Sequence, residues 1–162
     1  MSPTDLLAYP ESAEAFWVGQ AELAAERVGD EALESMTPAV AHLSDLFTTE
    51  RPDRKFPDYF ADPRLLAAYG VFFLPQSFTR TSFALAQICG LRGWRPSTPA
   101  PAILDLGCGP GSCGVAAAYR FRQLGIGDIQ LTGVDKSPSA LAAMESFGRD
   151  VLGADATIRT RI

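Results

Sequence analysis

At 162 residues the chain has room for one ordinary domain, or for a small domain and part of another. Its composition, 47% hydrophobic, 10% aromatic and 20% charged, excludes a disordered chain, and no segment is long and apolar enough to span a membrane. A net charge of -5 disfavours a broad basic surface for phosphate backbones, and leaves only local arginines, Arg92 with Arg95 and Arg120 with Arg122, for contacts with RNA.

Met1 to Pro10 lack the basic start and apolar run of a secretory signal, so a cytoplasmic location is expected. From there to about residue 93 the pattern is helical, because apolar residues recur at three- and four-residue steps between turn signals. Phe16, Trp17, Leu23 and Val28 mark a first helix, and Gly29-Asp30 reads as its stop beside the next N-cap. Helices from about 31 and about 38 follow, the second signalled by Thr37-Pro38. His42 sits in that run without a partner at metal-ligand spacing and reads as structural or exposed, and no metal site is expected. Arg51 to Asp62, charged and holding two prolines, reads as a linker. Asp62-Pro63 restarts helix, with Leu65, Leu66, Tyr69, Phe72 and Phe73 on one packing stripe, until Pro75 interrupts it. A further helix is predicted from about Gln76 to Leu91, with Phe78, Leu85, Ile88 and Cys89 inward.

Three prolines and a glycine between Gly93 and Pro101 mark a boundary, so residues 1–93 form a helical region and 94–162 a second unit. Ala102 to Leu106 is a short buried strand, Gly107 to Gly111 a glycine-rich turn, and Ser112 to Gln123 an alanine-rich helix. Ile129 to Val134 is a second strand, Ser137-Pro138 opens a helix to about Val151, and Ala156 to Ile162 suits a third strand. The order β-α-β-α-β predicts an α/β fold with a parallel, Rossmann-like sheet behind the helical region.

The chemistry concentrates at Ile103-Leu104-Asp105-Leu106-Gly107-Cys108-Gly109-Pro110-Gly111-Ser112, where glycines recur at alternate positions directly off a strand end. Glycine permits the positive φ of such a turn and lets a ligand lie against bare backbone, while the next helix offers free N–H groups there. Asp135, after Leu131-Thr132-Gly133-Val134, ends the following strand, where an acid can hold both hydroxyls of a ribose. Cys89, Cys108 and Cys113 form no CxxC pair and read as free thiols, and Cys108 and Cys113 read as small packing groups at the turn.

Gly109-Pro110-Gly111-Ser112-Cys113-Gly114 also fits the GxGxxG of nicotinamide and flavin enzymes. The register is poor, because proline would stand between the two glycines at the pyrophosphate. Asp135 also lies 26 positions after Gly109, beyond the roughly 20 of the dinucleotide fingerprint.

Asp105, Gly107, Gly109 and Gly111 spell acid-x-Gly-x-Gly-x-Gly, which resembles the S-adenosylmethionine motif of class I methyltransferases. The resemblance implies that Asp105 orients the methionine amine and that Gly107, Cys108, Gly109 and Gly111 lie along the methionine part and ribose. It implies further that Asp135 holds the ribose hydroxyls and that Lys136 and Ser137 lie beside the adenosine. Over about residues 58 to 140, Tyr59-Phe60-Ala61-Asp62-Pro63, Ala67-Ala68-Tyr69 and Phe73-Leu74-Pro75 with that motif resemble the methyltransferase family associated with the mitochondrial small ribosomal subunit and its bacterial members. That resemblance implies ribosomal RNA or a ribosomal protein as partner, and leaves open whether the protein is a methyltransferase or a non-catalytic assembly factor that retains the pocket. The cysteine-rich features of that family have no counterpart here. About seven strands complete a class I sheet and this chain supplies three, so the catalytic residues stay unassigned. We expect either an N-terminal piece of a longer enzyme or self-association through the open edge of the Ala102–Leu106 strand.

Overall fold

A computed structural model describes residues 8–48, 58–91 and 93–162. Residues 1–7, Arg92 and the 51–57 part of the expected linker lie outside the described residues.

Helix α1, Glu11–Ala25, starts after Pro10 with Glu11 and Glu14 in its first turn, where carboxylates complement the free N–H groups. Its inward face is Ala13, Trp17 and Ala21, at four-residue spacing. Leu23 and Val28, which mark the helix in the sequence, are 74% and 76% exposed, Val28 lying beyond its end. The stop also differs: Glu26 at φ 54° closes α1, and Gly29 opens α2, Gly29–Ser35, donating its N–H to Glu22 Oε1 at 2.8 Å. A carboxylate one helix earlier thus replaces the local cap that Asp30 was expected to supply. Helix α3, Thr37–Thr48, buries Leu43 and Leu46 and leaves His42 exposed.

A short 3₁₀ turn, Tyr59–Ala61, leads into α4, Pro63–Ala68, capped by the Asp62 carboxylate, which accepts the Arg64 N–H at 2.8 Å. The helix does not break at Pro75. A π-turn, Tyr69–Phe73, joins α4 to α5, Leu74–Leu91, with the Leu74 N–H reaching back five residues to the Tyr69 carbonyl. The widened turn re-pairs the backbone just ahead of the residue that has no N–H to give. It also rotates the stripe, so Phe72 is about half exposed and Ile88 is exposed, whereas Phe78, Ser82 and Cys89 are buried.

Strands β1 (Ala102–Leu106), β2 (Ile129–Val134) and β3 (Ala156–Arg161) form a parallel sheet in the order β1-β2-β3. Helix α6, Ser112–Gln123, connects the first pair and α7, Pro138–Leu152, the second. Ile103, Leu131 and Ile158 are in register, as are Asp105, Gly133 and Thr160, and these rows face the helices. The rows Leu104-Thr132-Arg159 and Leu106-Val134-Arg161 face away. The first strand is therefore not buried as expected: Leu104 is 63% and Leu106 71% exposed, because no helix covers that face among the described residues. Among the described residues β1 pairs only with β2, and its other edge is open.

One apolar core runs across residues 93 and 94. Ala13, Trp17, Leu74 and Phe78 from the helical region pack with Val115, Phe121, Leu131, Met144 and Phe147 from the sheet unit. Trp17 lies against Gly70 of the π-turn so closely that a Cβ there would meet its ring at 1.8 Å. A second cluster, including Met36, Leu43, Leu46 and Ala67, is confined to the helices. No helix among the described residues is long and apolar enough to cross a membrane.

Candidate functional site

The turn after β1 is held by the end of β2: the Val134 carbonyl accepts N–H bonds from Gly107 at 2.8 Å and Cys108 at 3.1 Å. Three residues there take left-handed backbone, Gly107 at φ 69°, Gly109 at 52° and Gly111 at 91°, the last as N-cap of α6. Such angles cost other residues about 1–2 kcal/mol each, which explains the repeated glycine.

The three glycines differ in their surroundings. A Cβ on Gly107 would meet nothing within 4 Å. One on Gly109 would touch the Phe60 ring at 3.4 Å, and one on Gly111 would strike Met144 Cγ at 2.6 Å and Val115 Cγ2 at 3.1 Å. Only Gly107 lines the open cleft beside the turn; Gly111 is small to let α7 approach.

Asp135 faces the turn across the sheet end. Its Oδ2 accepts the Gly109 N–H at 2.8 Å and its Oδ1 the Ser137 N–H at 2.9 Å. A carboxylate has about four lone-pair positions, so acceptor capacity remains for two hydroxyls of a ligand. Asp105 lies behind the turn and accepts the Gly114 N–H at 2.7 Å, closing one of the unpaired donors of the first turn of α6. Burial, only partly offset by that bond and reinforced by the nearby Asp135 charge, holds its carboxyl above the usual value. Gly114 is required here too, since a Cβ would come within 2.8 Å of Asp105 Oδ2.

The cleft, about 480 Å³, is lined by Gly107, Val134, Asp135, Lys136, Ser137 and Ile162 together with Asp58, Tyr59 and Phe60. That volume falls within the range of small-molecule sites. Lys136 is exposed at its rim. Ser137 contributes backbone, because its buried hydroxyl accepts the Ala140 N–H and caps α7. Cys108 is buried behind the turn, and burial with the Asp105 and Asp135 charges pushes its thiol up to about 12, so it is no nucleophile at neutral pH. Cys113 is exposed on the first turn of α6.

The structure thus brings Gly107, Asp135, Lys136 and Ser137 to one cleft and sets Asp105, Cys108, Gly109 and Gly111 in its supporting turn. Sequence reasoning missed the contribution of the helical region. Phe60 packs on Gly109, and the Tyr69 hydroxyl, bonded to the Ser112 side chain, lies near Asp105 and Asp135. The Tyr59 hydroxyl is pushed up to about 12 by burial, then by Tyr69, Asp135 and Asp58. The signal was present in Tyr59-Phe60-Ala61-Asp62-Pro63, whose aromatic residues precede a helix start that alone needs no aromatic. A larger groove of about 940 Å³ lies between α1, α2 and α7, but it is shallow and holds none of these residues. No family model, curated protein or solved structure matches the chain.

Proposed function

We propose that residues 102–162 are the S-adenosylmethionine-binding half of a Rossmann-like, class I methyltransferase domain, and that the protein serves methylation of a ribosomal RNA or a ribosome-associated protein. The observation that carries this reading is Asp135 poised over the glycine-rich turn with acceptor capacity to spare. Bound S-adenosylmethionine supplies a methyl group on a sulfonium centre. The chain's own residues bind and orient it. Asp135 would accept from the ribose diol and Gly107 would let the ligand lie on bare backbone, while Asp105, behind the turn, would hold the start of α6 in place beside the amino-acid end.

The dinucleotide alternative is weakened by its register: Pro110 would stand between the two glycines nearest the pyrophosphate, and Asp135 follows Gly109 by 26 positions rather than the roughly 20 of that fingerprint. Calorimetry of the whole chain with S-adenosylmethionine, S-adenosylhomocysteine and NAD tests the assignment. Adenosyl ligands should bind, and Asp135→Ala should weaken them at least about tenfold, the scale of charge-assisted hydrogen bonds. Binding of NAD alone overturns the reading. Transfer of labelled methyl groups to small-subunit RNA or protein separates the enzyme from a non-catalytic assembly factor.

A further inference from the structure

The helical region, whose role the glycine-rich motif does not define, reaches the cleft through one short element. Asp58 and the 3₁₀ turn Tyr59–Ala61 place two aromatic rings at its wall. The cleft therefore joins an apolar slot, made by Tyr59, Phe60, Val134 and Ile162, to a polar end made by Asp135, Lys136 and the Ser137 backbone. A flat heteroaromatic ring on a sugar has this division of surfaces: the ring prefers aromatic and aliphatic walls, and the diol prefers a carboxylate.

Tyr59 is half-buried, Phe60 buried, and both are braced from behind. The Tyr59 ring lies 4.4 Å from Phe60 and 5.6 Å from Phe47, centroid to centroid, and Phe60 meets Tyr69 edge-on at 5.1 Å. Tyr69 in turn contacts Phe73 at 5.8 Å, so the π-turn and α3 both hold the wall in place. Such bracing lowers the entropy lost when a ring stacks on it. A wall needed only for packing would be satisfied by Phe60, which covers Gly109; Tyr59 adds a second aromatic ring to the lining of the open cleft.

We propose that Tyr59 is a specificity-determining residue of the cleft, stacking on the purine base of the ligand whose ribose Asp135 holds. This assignment rests on the adenosyl reading given above and deepens it. The N-terminal helices are then part of the ligand site rather than a separate docking unit.

The test compares S-adenosylhomocysteine and adenosine binding to the whole chain and to Tyr59→Phe, Tyr59→Leu and Tyr59→Ala, with a melt recorded for each. Tyr59→Phe should stay within about twofold, and Tyr59→Ala and Tyr59→Leu should lose about tenfold or more for both ligands alike, the scale of one base stacking on one aromatic ring. The leucine variant keeps apolar bulk against Phe47 and Phe60, so it reports on stacking even if the alanine variant fails to fold. Quenching of etheno-adenosine fluorescence by wild type and Tyr59→Phe, but not by Tyr59→Leu, gives a second readout. Wild-type affinity in the leucine variant, or no quenching by wild type at saturating ligand, overturns the assignment. If wild type binds neither adenosyl ligand, the cofactor reading itself fails, and with it this one.

Discussion

Substituting alanine at Gly111 and at Gly107 should separate the two reasons for which glycine is used in one turn. Both residues have left-handed φ, 91° and 69°, so each change costs about 1–2 kcal/mol of backbone strain. At Gly111 the new methyl also meets Met144 Cγ at 2.6 Å and the stiff, branched Val115 Cγ2 at 3.1 Å. Overpacking of that kind adds about 1–3 kcal/mol, which brings Gly111→Ala to about 2–5 kcal/mol. At Gly107 the methyl enters open space, and the cost stops at strain. With about 2–4 °C of melting temperature per kcal/mol at this chain length, Gly111→Ala should melt on the order of 10 °C below wild type and Gly107→Ala about 3 °C below. Ligand affinity should divide the other way among folded variants. The Gly107 methyl projects into the cleft and should weaken S-adenosylhomocysteine about tenfold, the equivalent of a modest steric clash. Thermal melts followed by circular dichroism, with calorimetry below the transition, measure both effects. If Gly107→Ala melts lower than Gly111→Ala, the assigned surroundings of these glycines are wrong.

The Asp105 carboxyl is raised above its ordinary 3.8, chiefly by burial, so the folded state takes up its proton more readily than the unfolded chain. Its stabilising contribution is present in full below 3.8 and is lost as pH rises through the folded value; Asp105→Asn should flatten that part of a stability-against-pH curve, and an unchanged slope refutes the account. A thiol reagent at pH 8 should label exposed Cys113 quickly, whereas buried Cys108, with its thiol pushed up to about 12, and buried Cys89 should react only on unfolding; mass spectrometry of the labelled peptides decides. The open edge of β1 beside exposed Leu104 and Leu106 should drive self-association, which Leu104→Lys should reduce; a monodisperse wild-type monomer in light scattering would count against it.

Much of the sheet unit was legible from sequence because its signals are local. Strand, turn and helix at 102–123 follow from an apolar run, alternating glycines and an alanine-rich stretch, and each pattern carries its own backbone preference. The helical region was legible as helix but less so in its orientation. Leu23 and Val28 signal a helix by composition, yet Ala13, Trp17 and Ala21 form its buried line, which the apolar pattern alone does not pick out. Pro75 reads as a break when taken alone, and only the π-turn before it, a response to its missing N–H and to the fit of Trp17, lets the helix pass through. The site divided along the same line. Asp135 and Gly107 announce themselves by position after strands, whereas Tyr59 and Phe60 reach the cleft through a contact between residues some fifty positions apart, Phe60 on Gly109, that no local pattern encodes.

The seating of Trp17 against both Gly70 and Phe147 makes the proline-rich segment at 94–101 a misleading place to cut. A fragment beginning there would lose the aromatic lining that fills the outer side of α6 and α7, and would present Ala116, Phe121 and Phe147 to water. The two stretches cannot be exchanged independently for those of another protein.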